Sequence, residues 1–68
     1  MSTAEIRISD RELLPQMTQM RVWLDSCRFE PARFRYFHAG TGVVVRVEFA
    51  HPIEAQAFAE EFAGRLLP

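Results

Sequence analysis

The sequence of 68 residues has few of the features that stabilise or localise a small protein. Its single cysteine, Cys27, cannot form a disulfide within the chain, so a reducing cytoplasm is the expected compartment. No apolar run approaches the ~20 residues that cross a bilayer, and no early segment resembles a signal peptide. The Met1 start leads us to expect a complete chain. One domain of this length buries only about 60% of its extended surface, so its stability is expected to be marginal.

Lysine is absent, and all eight basic residues are arginines. Nine acidic residues leave a net charge of −1 at pH 7, which does not favour general binding to polyanions. A compositional bias of the source genome is the favoured explanation for the missing lysine. The alternative is that the planar guanidinium group is needed at some site, because arginine and lysine are not equivalent in bidentate contacts.

The sequence also lacks a catalytic or metal-binding constellation. Its carboxylates are scattered, and no pattern pairs two of them in a cleft. Cys27 falls on an apolar helical stripe, as core cysteines do, and it has no metal-ligand spacing with His38 or His51. Gly40-Thr41-Gly42 precedes a strand, whereas a phosphate-binding loop precedes a helix. We therefore predict no catalytic residue, no metal site, no cofactor and no enzymatic activity.

The strongest signal is a β-hairpin in residues 33–49, RFRYFHAGTGVVVRVEF. Two runs of aromatic and β-branched residues flank Gly40-Thr41, and a glycine in the first position of a two-residue turn suits type II′. The predicted pairs are Ala39 with Gly42, His38 with Val43, Tyr36 with Val45, and Phe34 with Val47.

The two faces of this hairpin differ in character, since side chains alternate across a strand. The face predicted to join the core contains Phe34, Tyr36, His38, Val43, Val45, Val47 and Phe49. The opposite face contains Arg33, Arg35, Phe37, Val44, Arg46 and Glu48. A slip of one residue would mix the two sets, so the apolar face itself supports the pairing.

Two amphipathic helices are predicted, at about residues 12–28 and 52–63. A start near Glu12 keeps Pro15 inside the first turn, where its missing N–H costs little. The apolar stripe of the first helix is Leu13, Met17, Met20, Leu24 and Cys27. The stripe of the second helix is Ala55, Phe58, Ala59, Phe62 and Leu66, and Gly64 is its expected stop.

The alternation of Glu5-Ile6-Arg7-Ile8 favours a first strand with both isoleucines facing the core; a frayed terminus is the alternative. Residues 1–4 are expected to be disordered. The element order is then (β)αββα, an α+β two-layer sandwich with two helices on one face of a two- to three-stranded antiparallel sheet. By fold analogy the first strand lies beside the third, as in a ferredoxin-like fold that lacks its last strand.

Four segments of the chain resemble a group of short uncharacterised bacterial proteins. They are Trp23-Leu24-Asp25, Pro31-Ala32-Arg33-Phe34-Arg35-Tyr36, Val43-Val44-Val45 and Glu54-Ala55-Gln56-Ala57-Phe58, within residues 13–63. The resemblance implies a bacterial, cytoplasmic protein and implies no activity or site residues.

The candidate interaction site is the polar face of the hairpin, made of Arg33, Arg35, Phe37, Val44 and Arg46. Arg35 lies opposite Arg46 in the predicted register, so both are expected to need an anionic partner. Three interpretations stay open: a protein interface, a solvated face without a partner, and a site for single-stranded nucleic acid. We favour a small non-enzymatic protein-interaction or dimerisation domain that forms a homodimer or binds another protein. Single-stranded nucleic-acid binding is the alternative, and no membrane partner is expected.

Overall fold

The computed structural model describes all 68 residues, with two α-helices and one four-stranded antiparallel sheet. The elements are β1 (Ser2–Ser9), a 3-10 turn (Asp10–Glu12), α1 (Leu13–Cys27), β2 (Arg33–Ala39), β3 (Gly42–Phe49), α2 (Pro52–Glu61) and β4 (Arg65–Leu67). The strand order across the sheet is β2-β3-β1-β4. The α+β class and the two helices are confirmed, but the sheet has four strands, and not two or three.

The first strand is longer than the Glu5–Ile8 segment and lies inside the sheet. It pairs along its whole length with β3, from Ser2 opposite Phe49 to Ser9 opposite Gly42. Residues 2–4, which we expected to be disordered, belong to this strand, and Ala4 is buried opposite Val47. The burial of Ile6 agrees with the alternating pattern, which marks a strand with one face in the core.

The last strand, β4, is the element that the sequence pattern missed. It pairs with Thr3–Glu5 of β1 and completes the ferredoxin-like order that we expected to lack its final strand. Its three residues are too few to show the two-residue alternation of a strand. As a result, Leu66 was wrongly assigned to the apolar stripe of the second helix. That helix ends at Glu61, and the chain turns through Ala63, with φ of +56°, and Gly64. Leu66 therefore belongs to the sheet.

The core lies between one face of the sheet and both helices. Its buried residues are Ala4, Ile6, Met20, Leu24, Val43, Val45, Val47, Phe49, Ala55, Phe58 and Ala59. Trp23 of α1 makes edge-on contacts with Phe58 of α2 and with Phe62 just after this helix, at ring-centroid distances of 5.7 and 5.9 Å. Such aromatic pairs add about 0.5–1.5 kcal/mol beyond simple burial, so they hold the two helices together on the sheet.

The hairpin has the predicted register, from Arg33 opposite Glu48 to Ala39 opposite Gly42. Gly40 has φ of +64°, as the first position of a type II′ turn requires. The predicted core face is correct for β3 but wrong for part of β2. Tyr36 is 51% exposed and His38 is also exposed, because β2 is an edge strand that the helices leave uncovered.

Gly64 lies against β1 where the chain enters β4. A methyl group at this position would overlap the side chain of Ile6 and the carbonyl oxygen of Glu5. We therefore expect Gly64→Ala to lower the free energy of unfolding by about 1–3 kcal/mol, as overpacking does, in urea denaturation. The control is Ala63→Gly at the adjacent position. Ala63 has a positive φ, which glycine adopts without strain, so this variant should be neutral or stabilising by up to about 1 kcal/mol. Unchanged stability of Gly64→Ala would contradict this close approach.

Candidate interaction surface

The sheet face opposite the helices, called the outer face below, gathers side chains from all four strands. Its central residues are Thr3, Glu5 and Arg7 of β1, Arg33, Arg35 and Phe37 of β2, Val44, Arg46 and Glu48 of β3, and Arg65 and Leu67 of β4. All five residues of the predicted interaction site lie on this face. Glu5, Arg7 and Arg65 also belong to it and were not part of the prediction.

One row of this face crosses the whole sheet. The row contains one residue from each strand in register: Arg35 of β2, Arg46 of β3, Glu5 of β1 and Arg65 of β4. Glu5 has an arginine on each side and is only 3% exposed. A buried carboxylate needs charged or hydrogen-bonding partners, and the row supplies both.

Glu5 accepts hydrogen bonds from both of its neighbours in the row. Nε and Nη2 of Arg46 each lie 3.0 Å from Oε2 of Glu5. Nε and Nη2 of Arg65 lie 3.1 and 3.0 Å from Oε1. Nε of Arg7 is 3.7 Å from the same oxygen, a weaker contact. Each guanidinium directs two nitrogens at one carboxylate oxygen, and charge-assisted hydrogen bonds are stronger than neutral ones, so the two arginines are held in place by Glu5.

The electrostatics of Glu5 are a balance of two opposing effects. Burial raises its pKa, because removal from water disfavours the carboxylate. The hydrogen bonds and positive charges of Arg46 and Arg65 outweigh burial and lower the pKa below the ordinary glutamate value. Glu5 is therefore ionised at neutral pH, and its charge is part of the folded structure.

Arg35 and Arg46 were expected to need an anionic partner, and both have one within the chain. Arg46 is bound to Glu5, whereas Nη2 of Arg35 lies 3.5 Å from Oε2 of Glu48. The Arg35 contact is long and largely exposed, so it contributes little to stability.

The two residues of the predicted apolar centre of this face, Phe37 and Val44, are buried to different extents. The guanidinium carbon of Arg46 lies 5.1 Å from the centroid of the Phe37 ring, within the range of a cation–π contact. Val44 lies between Phe37 and Arg7 in register and is buried, although it points away from the core. Phe37 keeps 42% of its surface exposed, so it is the accessible aromatic group of the outer face.

The signal for Glu5 was present in the alternation of Glu5-Ile6-Arg7-Ile8. If the isoleucines face the core, Glu5 and Arg7 must point outward. The pattern could not reveal the register of β1 against β3, which brings together residues 41 positions apart along the chain.

The other candidate residues of the sequence belong to different elements of the fold. Cys27 ends α1 and is half-buried, and His51 directly precedes α2. His38 is exposed beside the hairpin turn, with Nδ1 3.6 Å from Oδ1 of Asp10. No three His, Cys, Asp or Glu side chains come close enough together to hold a metal ion. None of the helices has the length and apolar character needed to cross a membrane.

The Glu5 site makes a prediction about stability. We expect Glu5→Gln to lower the free energy of unfolding at pH 7 by about 2–4 kcal/mol, because Arg46 and Arg65 lose the carboxylate that they share. Urea denaturation followed by Trp23 fluorescence measures this loss. The control is Glu61→Gln, which removes the same charge from an exposed, unpaired position of α2 and should change stability by less than about 0.5 kcal/mol.

The same carboxylate makes stability depend on pH. Since its pKa is lowered on folding, its stabilisation is fully present above the unfolded value of 4.5 and is lost as the pH falls through the lower folded value. The difference in stability between the wild type and Glu5→Gln should therefore be largest near pH 7 and shrink below pH 4.5. An equal difference at neutral and strongly acidic pH would contradict an ionised Glu5.

Comparison with protein-family models, with curated proteins and with solved structures finds no match to this chain. The resemblance to short bacterial proteins, with the cytoplasmic location that it implies, therefore stays a prediction.

Proposed function

We propose that this chain is a small non-enzymatic protein-interaction domain that forms a homodimer through the free edge of β2. The strongest support comes from the side of the molecule where β2 forms the edge of the sheet. There an unpaired strand edge lies beside an apolar groove that no part of the chain fills.

The groove has a volume of about 950 Å³ and lies between α1 and the helix-side face of β2. Its apolar lining includes Leu13, Leu14, Met17, Val22, Leu24, Phe29, Phe34 and Tyr36. Leu14 is 78% exposed and Val22 is 61% exposed, although both belong to a helix that also packs on the core. Apolar residues gathered on one side of a small protein favour an interface, because their burial by a partner is stabilising.

The backbone of β2 is ready to pair with another strand. The residues that flank a two-residue hairpin turn exchange both of their backbone hydrogen bonds, and the pattern then alternates along the strand. Ala39 is paired with Gly42 at the turn, so the free N–H and C=O groups belong to Phe34, Tyr36 and His38. An open edge of this kind is a template for strand addition.

A second copy of β2 fits this edge in antiparallel register. Tyr36 is the middle residue of the strand, so a two-fold axis midway between the Tyr36 residues of the two copies pairs all seven residues of β2 with those of the second copy. Phe34 then lies opposite His38 of the second copy, and Arg35 opposite Phe37 of the second copy. A register centred on Arg35 would place two arginines face to face, which is unfavourable. Charge therefore favours the register in which arginine meets an aromatic ring.

The same arrangement covers the groove. A two-fold axis perpendicular to the joined sheet keeps both α1 helices on one side of it, which is also the side of the groove that Leu14, Val22 and Tyr36 line. A stable interface buries about 800 Å² per partner, roughly one sixth of the 4761 Å² surface of this chain. To reach that area, the interface has to include the strand edge, the groove and the flank of α1 together.

Size gives a further reason for self-association. Only 13 of the 68 residues are buried, and the core is not reinforced by a disulfide. Domains of this size commonly gain stability from oligomerisation, because a partner supplies the missing apolar contacts.

We expect light scattering on the purified protein to report twice the monomer mass of 7.9 kDa at high micromolar concentration. Tyr36→Pro should give the monomer mass, because proline removes an N–H that points away from β3 and so leaves the intrachain ladder intact. Leu14→Glu should also give a monomer, because it places a charge in the groove without disturbing the core. Circular dichroism checks that both variants remain folded.

The matched control is Ile53→Glu, which puts the same charge at an equally exposed position, 75% accessible, at the start of α2. This variant should remain a dimer. A monomeric wild type at high micromolar concentration would refute the homodimer. A folded dimer in both Tyr36→Pro and Leu14→Glu would refute the β2 edge as its interface.

A further inference from the structure

The outer face has a charge that differs sharply from that of the whole chain. It holds five arginines, at positions 7, 33, 35, 46 and 65, and two carboxylates, Glu5 and Glu48, so its net charge is +3. The chain as a whole has a net charge of −1, so the remainder has −4. The acidic residues of α2 belong to the opposite, helix-covered side of the sheet. The outer face is therefore positive although the chain as a whole has a net negative charge.

The two glutamates of the outer face neutralise this surface only in part, and Glu48 reaches Arg35 through a single long contact of 3.5 Å. Glu5 is buried beneath its arginines, and only Nε and Nη2 of Arg46 and Arg65 are bound to it. The Nη1 group of each guanidinium is left for another acceptor. Arg33 is exposed and has no ion-pair partner at all. Glu5 thus holds the cationic groups in place while it leaves donors available.

We infer that the outer face is a binding surface for single-stranded nucleic acid. Arginines supply donors and positive charge for phosphates, and exposed Phe37, with Arg46 beside its ring, supplies a platform on which a base can stack. The face is the open side of a sheet, with no helix or ribbon projecting from it to enter a duplex groove. Accessible bases, which only a single strand presents, are what such a surface can contact.

This inference does not depend on the homodimer, because one chain carries the complete face. If β2 pairs with a second copy, Arg33, Arg35 and Phe37 of the two chains lie side by side and the two faces form one continuous surface. A dimer would then bind a longer stretch of nucleic acid, but each chain would make the same kinds of contact as it does alone.

The test uses a fluorescein-labelled oligouridylate of about 20 nucleotides, longer than a typical site, and fluorescence anisotropy over a range of about 50–200 mM salt. We expect the affinity to fall steeply with salt. Arg33→Gln and Arg35→Gln should each weaken binding and lower the slope of log affinity against log salt by about 0.7, the value for one phosphate contact on a single strand. Phe37→Ala should weaken binding by about tenfold through the loss of stacking.

The matched control is Arg28→Gln, which removes the same charge from an exposed position at the end of α1, on the helix side of the sheet. This variant should bind like the wild type. Absence of binding at about 50 mM salt, or equal effects of Arg33→Gln and Arg28→Gln, would overturn the inference. So would equally tight binding of a polyglutamate peptide of similar length, which would identify an acidic protein as the partner.

The Tyr36→Pro monomer separates this inference from the proposed homodimer. It retains every side chain of the outer face and is expected to bind the oligonucleotide. Loss of binding in a folded Tyr36→Pro monomer would overturn the claim that one chain carries the complete site.

Discussion

The position of β1 inside the sheet is the constraint on which the rest of the structure depends. Its inward side chains, Ala4 and Ile6, are buried against the helices, while its outward side chain Glu5 is buried on the other face. An ionised carboxylate in that position is stable only with counter-charges on both sides. Arg46 of β3 and Arg65 of β4 supply them, so the two strands that flank β1 are coupled through one side chain.

The same arrangement leaves one strand incompletely covered. Both helices pack against the core built on β1 and β3, so β2 is held mainly by its ladder with β3. The molecule consequently has two exposed surfaces that a partner could cover. One is the apolar groove beside Tyr36, and the other is the positive outer face around Phe37. They lie on opposite sides of the same strand, so β2 is where both proposed functions meet.

Local patterns account for the parts of the fold that were predicted correctly. The hairpin register follows from Gly40 and from alternation on both strands, which act within a few residues of one another. The apolar stripe of α1 likewise places Met20 and Leu24 in the core. The burial of β2 could not be predicted this way, because it depends on where α1 lies across the sheet.

The amino-acid sequence by itself determined the hairpin, the two helices and the common face on which the five candidate residues lie, because these depend on periods of two and 3.6 residues and on turn chemistry. Only the tertiary structure decided that Arg46 has a partner in Glu5, that three residues after Gly64 form a strand, and that β2 has a free edge. Each of these outcomes joins segments far apart in the chain. No local pattern carries that information, since it depends on the spatial order of the strands in the sheet.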